Sequence, residues 1–147
     1  MRKLALLSLL VVILIGAAPT TPQICADGWC LAIVEQPGGC YGCVTGNYGE
    51  ASLFGYVWRN YGTVGLLAHD YRSGYLFYNL QPGDVLTLWR SGVSYRYIVT
   101  ETFSWYPPGY RGWREGNVFA YAYSQGGLTL QTCLGDGFWF VRAVHDD

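Results

Sequence analysis

Charge is scarce in this 147-residue chain: Asp, Glu, Lys and Arg make up 13% of it, and the formal net charge is −1. No basic stripe exists to follow a phosphate backbone, so a nucleic-acid partner is excluded. Histidine is scarcer still, with His69 and His145 the only two. There is no low-complexity tract, no internal repeat and no long amphipathic helical pattern. The one extended apolar run, residues 4–15, falls short of the roughly 20 residues that a comfortable membrane span requires.

That run follows Arg2 and Lys3 and leads into Gly16, Ala17 and Ala18. Basic, apolar, then small is the order of a secretory signal, with a cut after Ala18. An uncleaved membrane anchor is the alternative. No Cys directly follows the run, so no lipoprotein attachment site is present. Cleavage leaves about 129 residues, enough for one domain. The expected location is extracytoplasmic, either secreted or anchored at the cell membrane through the N-terminal segment.

Aromatics and glycine are abundant: thirteen Tyr, six Trp and twenty Gly. Together they favour many short strands joined by tight turns. Eight short apolar or alternating runs recur, at 31–35, 52–58, 63–68, 85–90, 95–101, 118–123, 128–132 and 138–144. Gly- and Pro-containing breakers separate them, which predicts a mainly all-β sandwich or barrel with short helical turns. One such turn is expected at 76–80. The segment 102–116, rich in Trp, Tyr, Pro and Arg, is long for a hairpin and is a candidate cover for a site.

Four of the five cysteines, Cys25, Cys30, Cys40 and Cys43, crowd together. In an oxidising compartment two disulfides are the default, in any of three pairings. A four-thiolate zinc site competes, since Cys40 and Cys43 have ligand-like spacing. Either arrangement would fasten an N-terminal extension, residues 19–50, to a barrel at 51–147, with 1–18 as signal or anchor. Cys133 is left over, ninety residues beyond Cys43 and at the end of an alternating strand. An unpaired cysteine in an exported protein is an intermolecular staple, a buried hydrophobe or a reactive thiol. His69 also ends a strand where a polar loop begins, and strand ends with loops are where catalytic groups are mounted. His145, beside Asp146 and Asp147, reads as part of a solvated tail. A thiolate is the working nucleophile, and an imidazole nearby can stabilise it and move its proton.

The order of these landmarks resembles the sortase family. A strand ends in His69; Leu80-Gln81-Pro82-Gly83-Asp84 matches the family's L-x-x-G-D turn; Thr129-Leu130-Gln131-Thr132-Cys133 matches its T-L-x-T-C strand. The match spans about residues 52 to 144; the cysteine-rich segment lies outside the family pattern. The resemblance implies an eight-stranded β-barrel carrying a cysteine transpeptidase or hydrolase that needs no metal or organic cofactor. Cys133 would attack a peptide carbonyl to give a thioacyl intermediate. His69 would protonate the leaving group and then deprotonate an incoming amine. Thr132 would help bind or orient substrate, and Asp70 could tune His69. The implied partners are an exported protein bearing a short sorting motif and an amine acceptor.

One departure stands out. Sortases open the strand after the cysteine with an Arg that stabilises the oxyanion, and here Phe138 occupies that place. Arg142 is the only Arg after Cys133. With Asp136 and Gly137 as turn residues, Arg142 becomes a diagonal neighbour of Cys133, about 7–8 Å away. With Gly135 and Asp136 in the turn, Cys133 faces Phe138 and Arg142 recedes by one more pair. Asp-Gly is the favoured two-residue turn, so Arg142 is carried as a third catalytic candidate. Arg72, Arg111 and Arg114 are other sources of a guanidinium. The rival expectation is a weakened or inactive barrel that binds peptide or glycan through Tyr and Trp.

Overall fold

Period-two alternation decides which side chains enter the interior. The computed structural model describes residues 18–35, 44–106 and 118–147. In β7 (Leu128–Leu134), Leu128 and Leu130 are fully buried in the main core, while Thr129, Gln131 and Cys133 take the opposite face. The other strands are β1 (Gln23–Ala26), β2 (Trp29–Glu35), β3 (Glu50–Leu53), β4 (Val64–Leu67), β5 (Val85–Arg90), β6 (Val93–Trp105) and β8 (Gly137–His145). They close into a barrel in the order β1-β2-β3-β4-β7-β8-β6-β5. Closure leaves no unpaired strand edge. Ile24, Leu66, Phe77, Leu86 and Leu130 are fully buried in its core.

A second apolar cluster lies on the outer face of β4, β7 and β8. There Phe54, Leu67 and Phe140 pack under Val118, Ala122 and Tyr123 of the helix α2 (Val118–Tyr123). The Thr129 hydroxyl bonds the Ala122 carbonyl at 2.7 Å, and Tyr123 Oη donates to Gln131. These bonds fix α2 to β7. Residues 118–123, expected as a strand, are helical: buried side chains at 118, 122 and 123 follow a helical face, and a short apolar run satisfies either period. Residues 52–58 likewise divide. The strand ends at Leu53, the Phe54 amide bonds Gly65, and helix α1 (Gly55–Tyr61) begins. A 3₁₀ helix, Gly74–Asn79, covers one end of the barrel, at the expected place.

The cysteine-bearing stretch is woven into the barrel. β1 and β2 are two of its eight strands, and β1 bridges β2 and β5. Cys25 and Cys30 face each other across the β1–β2 hairpin and are disulfide-bonded. That bond replaces the four-thiolate zinc alternative, which needed both as free thiolates. Cys40 and Cys43 lie outside the described residues, as do the apolar run 4–15, Arg111 and Arg114. Among the described residues, no helix is long and apolar enough to cross a membrane.

Candidate active site

Two parallel neighbours build the site. β4 and β7 run side by side, with Leu67 level with Gln131, and the Ala68 amide extends the ladder to the Gln131 carbonyl at 3.2 Å. His69 and Cys133 each lie two residues beyond the Leu67–Gln131 pair. Cys133 belongs to the outward-facing set, like Gln131, and His69 follows in the loop after β4. They line one cavity of about 270 Å³, walled mainly by apolar groups including Phe54, Leu67, Phe119 and Phe138.

The chain after His69 is tightly turned. The His69 carbonyl accepts from the amides of Arg72 (3.0 Å) and Gly74 (2.8 Å), and its ring stacks on Tyr71 at 4.9 Å. Next to that stack the Arg72 guanidinium lies over Tyr48 and Tyr71. Gly74 must lack a side chain, since a Cβ there would come 2.1 Å from Thr132 Oγ1 and 2.8 Å from the His69 carbonyl. The imidazole is thus mounted on a loop whose geometry is fixed by backbone contacts.

Among the described residues Cys133 is the free thiol, and it is half-buried. Burial pushes its pKa up, and the negative charge of Asp70 pushes it the same way. Asp70, read from sequence as able to tune the imidazole, also bears on the thiol. Tyr78 Oη donates to the Cys133 carbonyl, and Trp139 Nε1 donates to the Phe77 carbonyl at 3.2 Å. The 3₁₀ helix is thereby tied to both strands of the β7–β8 hairpin. Thr132 lines the cavity too, but its hydroxyl is buried against Gly74 with no hydrogen-bond partner among the described residues.

Hairpin register decides Arg142. The turn uses Gly135 and Asp136: Leu134 pairs with Gly137, Cys133 with Phe138, and Thr129 with Arg142. Arg142 therefore stands four residues along the sheet from the thiol, in the more distant of the two arrangements. Gly135 takes φ +55°, and Gly137 lies so close to the Trp105 carbonyl that a Cβ would sit 2.3 Å from it. Gly137 is paired with Leu134 instead of turning, and Gly135 supplies the positive φ at the first turn position that a Gly-X hairpin uses. Arg142 is buried, bonds Glu101 at 2.9 Å and stacks under Tyr121. The structure brings Cys133, His69 and Thr132 to one cavity and leaves Arg142 outside it.

The same barrel recurs in solved structures. It matches a Clostridium perfringens Sortase D5 transpeptidase with TM-score 0.59 and 17% identity, over 86% of this chain and 79% of that one. A sortase from Actinomyces oris matches with TM-score 0.59 and 19% identity, over 89% and 82%. Sortase A from Listeria monocytogenes gives TM-score 0.59 and 15% identity, over 86% and 87%. The fold is that of the sortases. The likeness is one of fold; no family model and no curated protein matches the sequence.

In this sortase-like barrel the residue facing Cys133 is Phe138, stacked on Trp105 and set edge-on to Phe119. Sequence reading singled out Cys133 and His69, which share this cavity, and the Phe138 departure. It missed Tyr78 and Gly74, whose roles depend on how the 3₁₀ helix docks. No spacing in the chain announces that contact.

Proposed function

We propose that the protein is a sortase-like cysteine transpeptidase of the extracytoplasmic space. Its substrate would be an exported protein with a short sorting motif. The observation that carries this reading is the thiol and the imidazole at the ends of adjacent parallel strands, sharing one cavity. Cys133 yields its proton to His69 and attacks the peptide carbonyl, and His69 passes that proton to the departing amine. An incoming amine, relieved of its proton by His69, then resolves the thioacyl enzyme. The apolar walls from Phe54, Leu67, Phe119 and Phe138 favour an aliphatic or aromatic side chain beside the scissile bond. Thr132 supports the nucleophile's backbone from the barrel side.

With Phe138 opposite the thiol, the reading implies weak oxyanion stabilisation. Losing one such donor typically costs about 100- to 1000-fold in rate. The same residue favours a second reading, a barrel that binds a peptide in this cavity without cleaving it. Intact-mass analysis after incubation with sorting-motif peptides separates the two. A covalent acyl adduct on Cys133, absent in Cys133→Ala and slowed at least about tenfold in His69→Ala, supports catalysis. Peptide binding with no adduct after prolonged incubation refutes it.

A further inference from the structure

The barrel has a second mouth, at the end opposite Cys133. An open cavity of about 620 Å³ lies there, lined by Tyr95, Tyr97, Arg90, Ser91, His145 and the glycines that precede β4 and β7. Its size is that of a small-molecule site. His145, expected in a solvated tail, is the last residue of β8 and pairs with Tyr97 across the sheet. Its ring sits 4.4 Å from that of Tyr97 and 6.5 Å from that of Tyr95. The next residue is anchored as well: Asp146 bonds the Arg96 carbonyl and forms a 2.9 Å ion pair with the Arg96 guanidinium. The aromatic wall is therefore built on paired strands.

Three features of the lining define what it would hold. Tyr95 presents ring surface at 41% exposure, a flat apolar face suited to the C–H face of a sugar ring. Gly62, Gly126 and Gly127 leave the floor bare. At Gly127 a Cβ would strike the Ala143 carbonyl at 2.5 Å, whereas at Gly62 and Gly126 the space is open. The one charged side chain of the lining is the cationic Arg90, and no carboxylate joins it. Arg90 has no ion-pair partner among the described residues, whereas Arg96 is neutralised by Asp146.

Other ligand classes fit less well. A peptide added as a strand needs a free sheet edge, which the closed barrel lacks. A nucleic acid needs a basic stripe, and the chain carries net charge −1. We infer that this second mouth binds a short acidic oligosaccharide, its ring stacked on Tyr95 and its carboxylate held by Arg90. The site is separate from the Cys133 cavity and does not rest on the proposed catalysis.

Titrating the full chain with tetragalacturonate, followed by amide NMR and calorimetry, tests the inference. Expected are shifts of Tyr95, Gly127 and His145 resonances, with the Cys133 cavity unmoved. Affinity should fall about tenfold or more in Tyr95→Ala and in Arg90→Gln, in line with loss of a charge-assisted contact. Both side chains are exposed, so these variants should keep the wild-type melting temperature. The carboxyl-reduced tetrasaccharide should bind about tenfold more weakly. Absence of shifts at millimolar sugar, equal affinity for the neutral sugar, or unchanged affinity in both variants would each overturn it.

Discussion

Cys133 is a thiol held in its neutral form by its surroundings. Burial and the charge of Asp70 both favour the protonated state, so the group is raised and its thiolate appears only at high pH. Iodoacetamide labelling of the native protein should therefore rise with a midpoint above the ordinary value of 9.0. Asp70→Asn should move that midpoint down, and an unchanged midpoint would remove Asp70 from the account. Phe138→Arg places a guanidinium directly across from the sulfur. It should lower the thiol pKa and speed labelling near neutral pH by about tenfold, one pKa unit. The cost is the Trp105 stack, about 1 to 3 kcal/mol in a denaturant melt. Arg142 makes the complementary case. Arg142→Met should destabilise by about 1 to 3 kcal/mol, by removing the Glu101 bond and the Tyr121 contact, yet leave Cys133 labelling unchanged. A strong loss of labelling in that variant would restore Arg142 to the site.

At the scale of elements, the site depends on three pieces meeting: the β4 end, the β7 end and the 3₁₀ helix. Gly74 is where they touch. Gly74→Ala forces its Cβ into Thr132 Oγ1 and two backbone carbonyls, so about 1 to 3 kcal/mol of stability should be lost. Since one of those carbonyls belongs to His69, labelling of Cys133 should change as well. A melt and a labelling time course read both. Much of this arrangement was legible beforehand, because strand ends carrying His69 and Cys133 follow from alternation and turn residues alone. The β7–β8 register was not, since Gly135-Asp136 and Asp136-Gly137 are both glycine-containing two-residue turns. Nor was α2, whose six residues satisfy a strand pattern until the outer face of the sheet demands a helical one.

For the whole molecule, one thin seam lies where β1 joins β2 and β5. β1 offers only four residues, and among them Ile24 alone is fully buried. Its brevity hid it from sequence reading, although the cysteines flanking its turn marked the place. The Cys25–Cys30 bond closes a short loop and should contribute about 2 kcal/mol through the unfolded state. Replacing both cysteines by serine should lower the unfolding free energy from a urea melt by about 2 kcal/mol without changing Cys133 labelling. A larger loss, with altered labelling, would mean that the hairpin also shapes the opposite wall.

Strand direction sets which pole of the barrel faces away from its first and last strand ends. β1 begins level with Trp89 and β8 finishes level with Tyr97, so chain entry and exit share one pole. The sulfur lies at the other, where β4 and β7 end. A molecule tethered by either terminus would present its reactive pole outward, like a lamp on a post, and would leave the sugar-sized hollow facing its support.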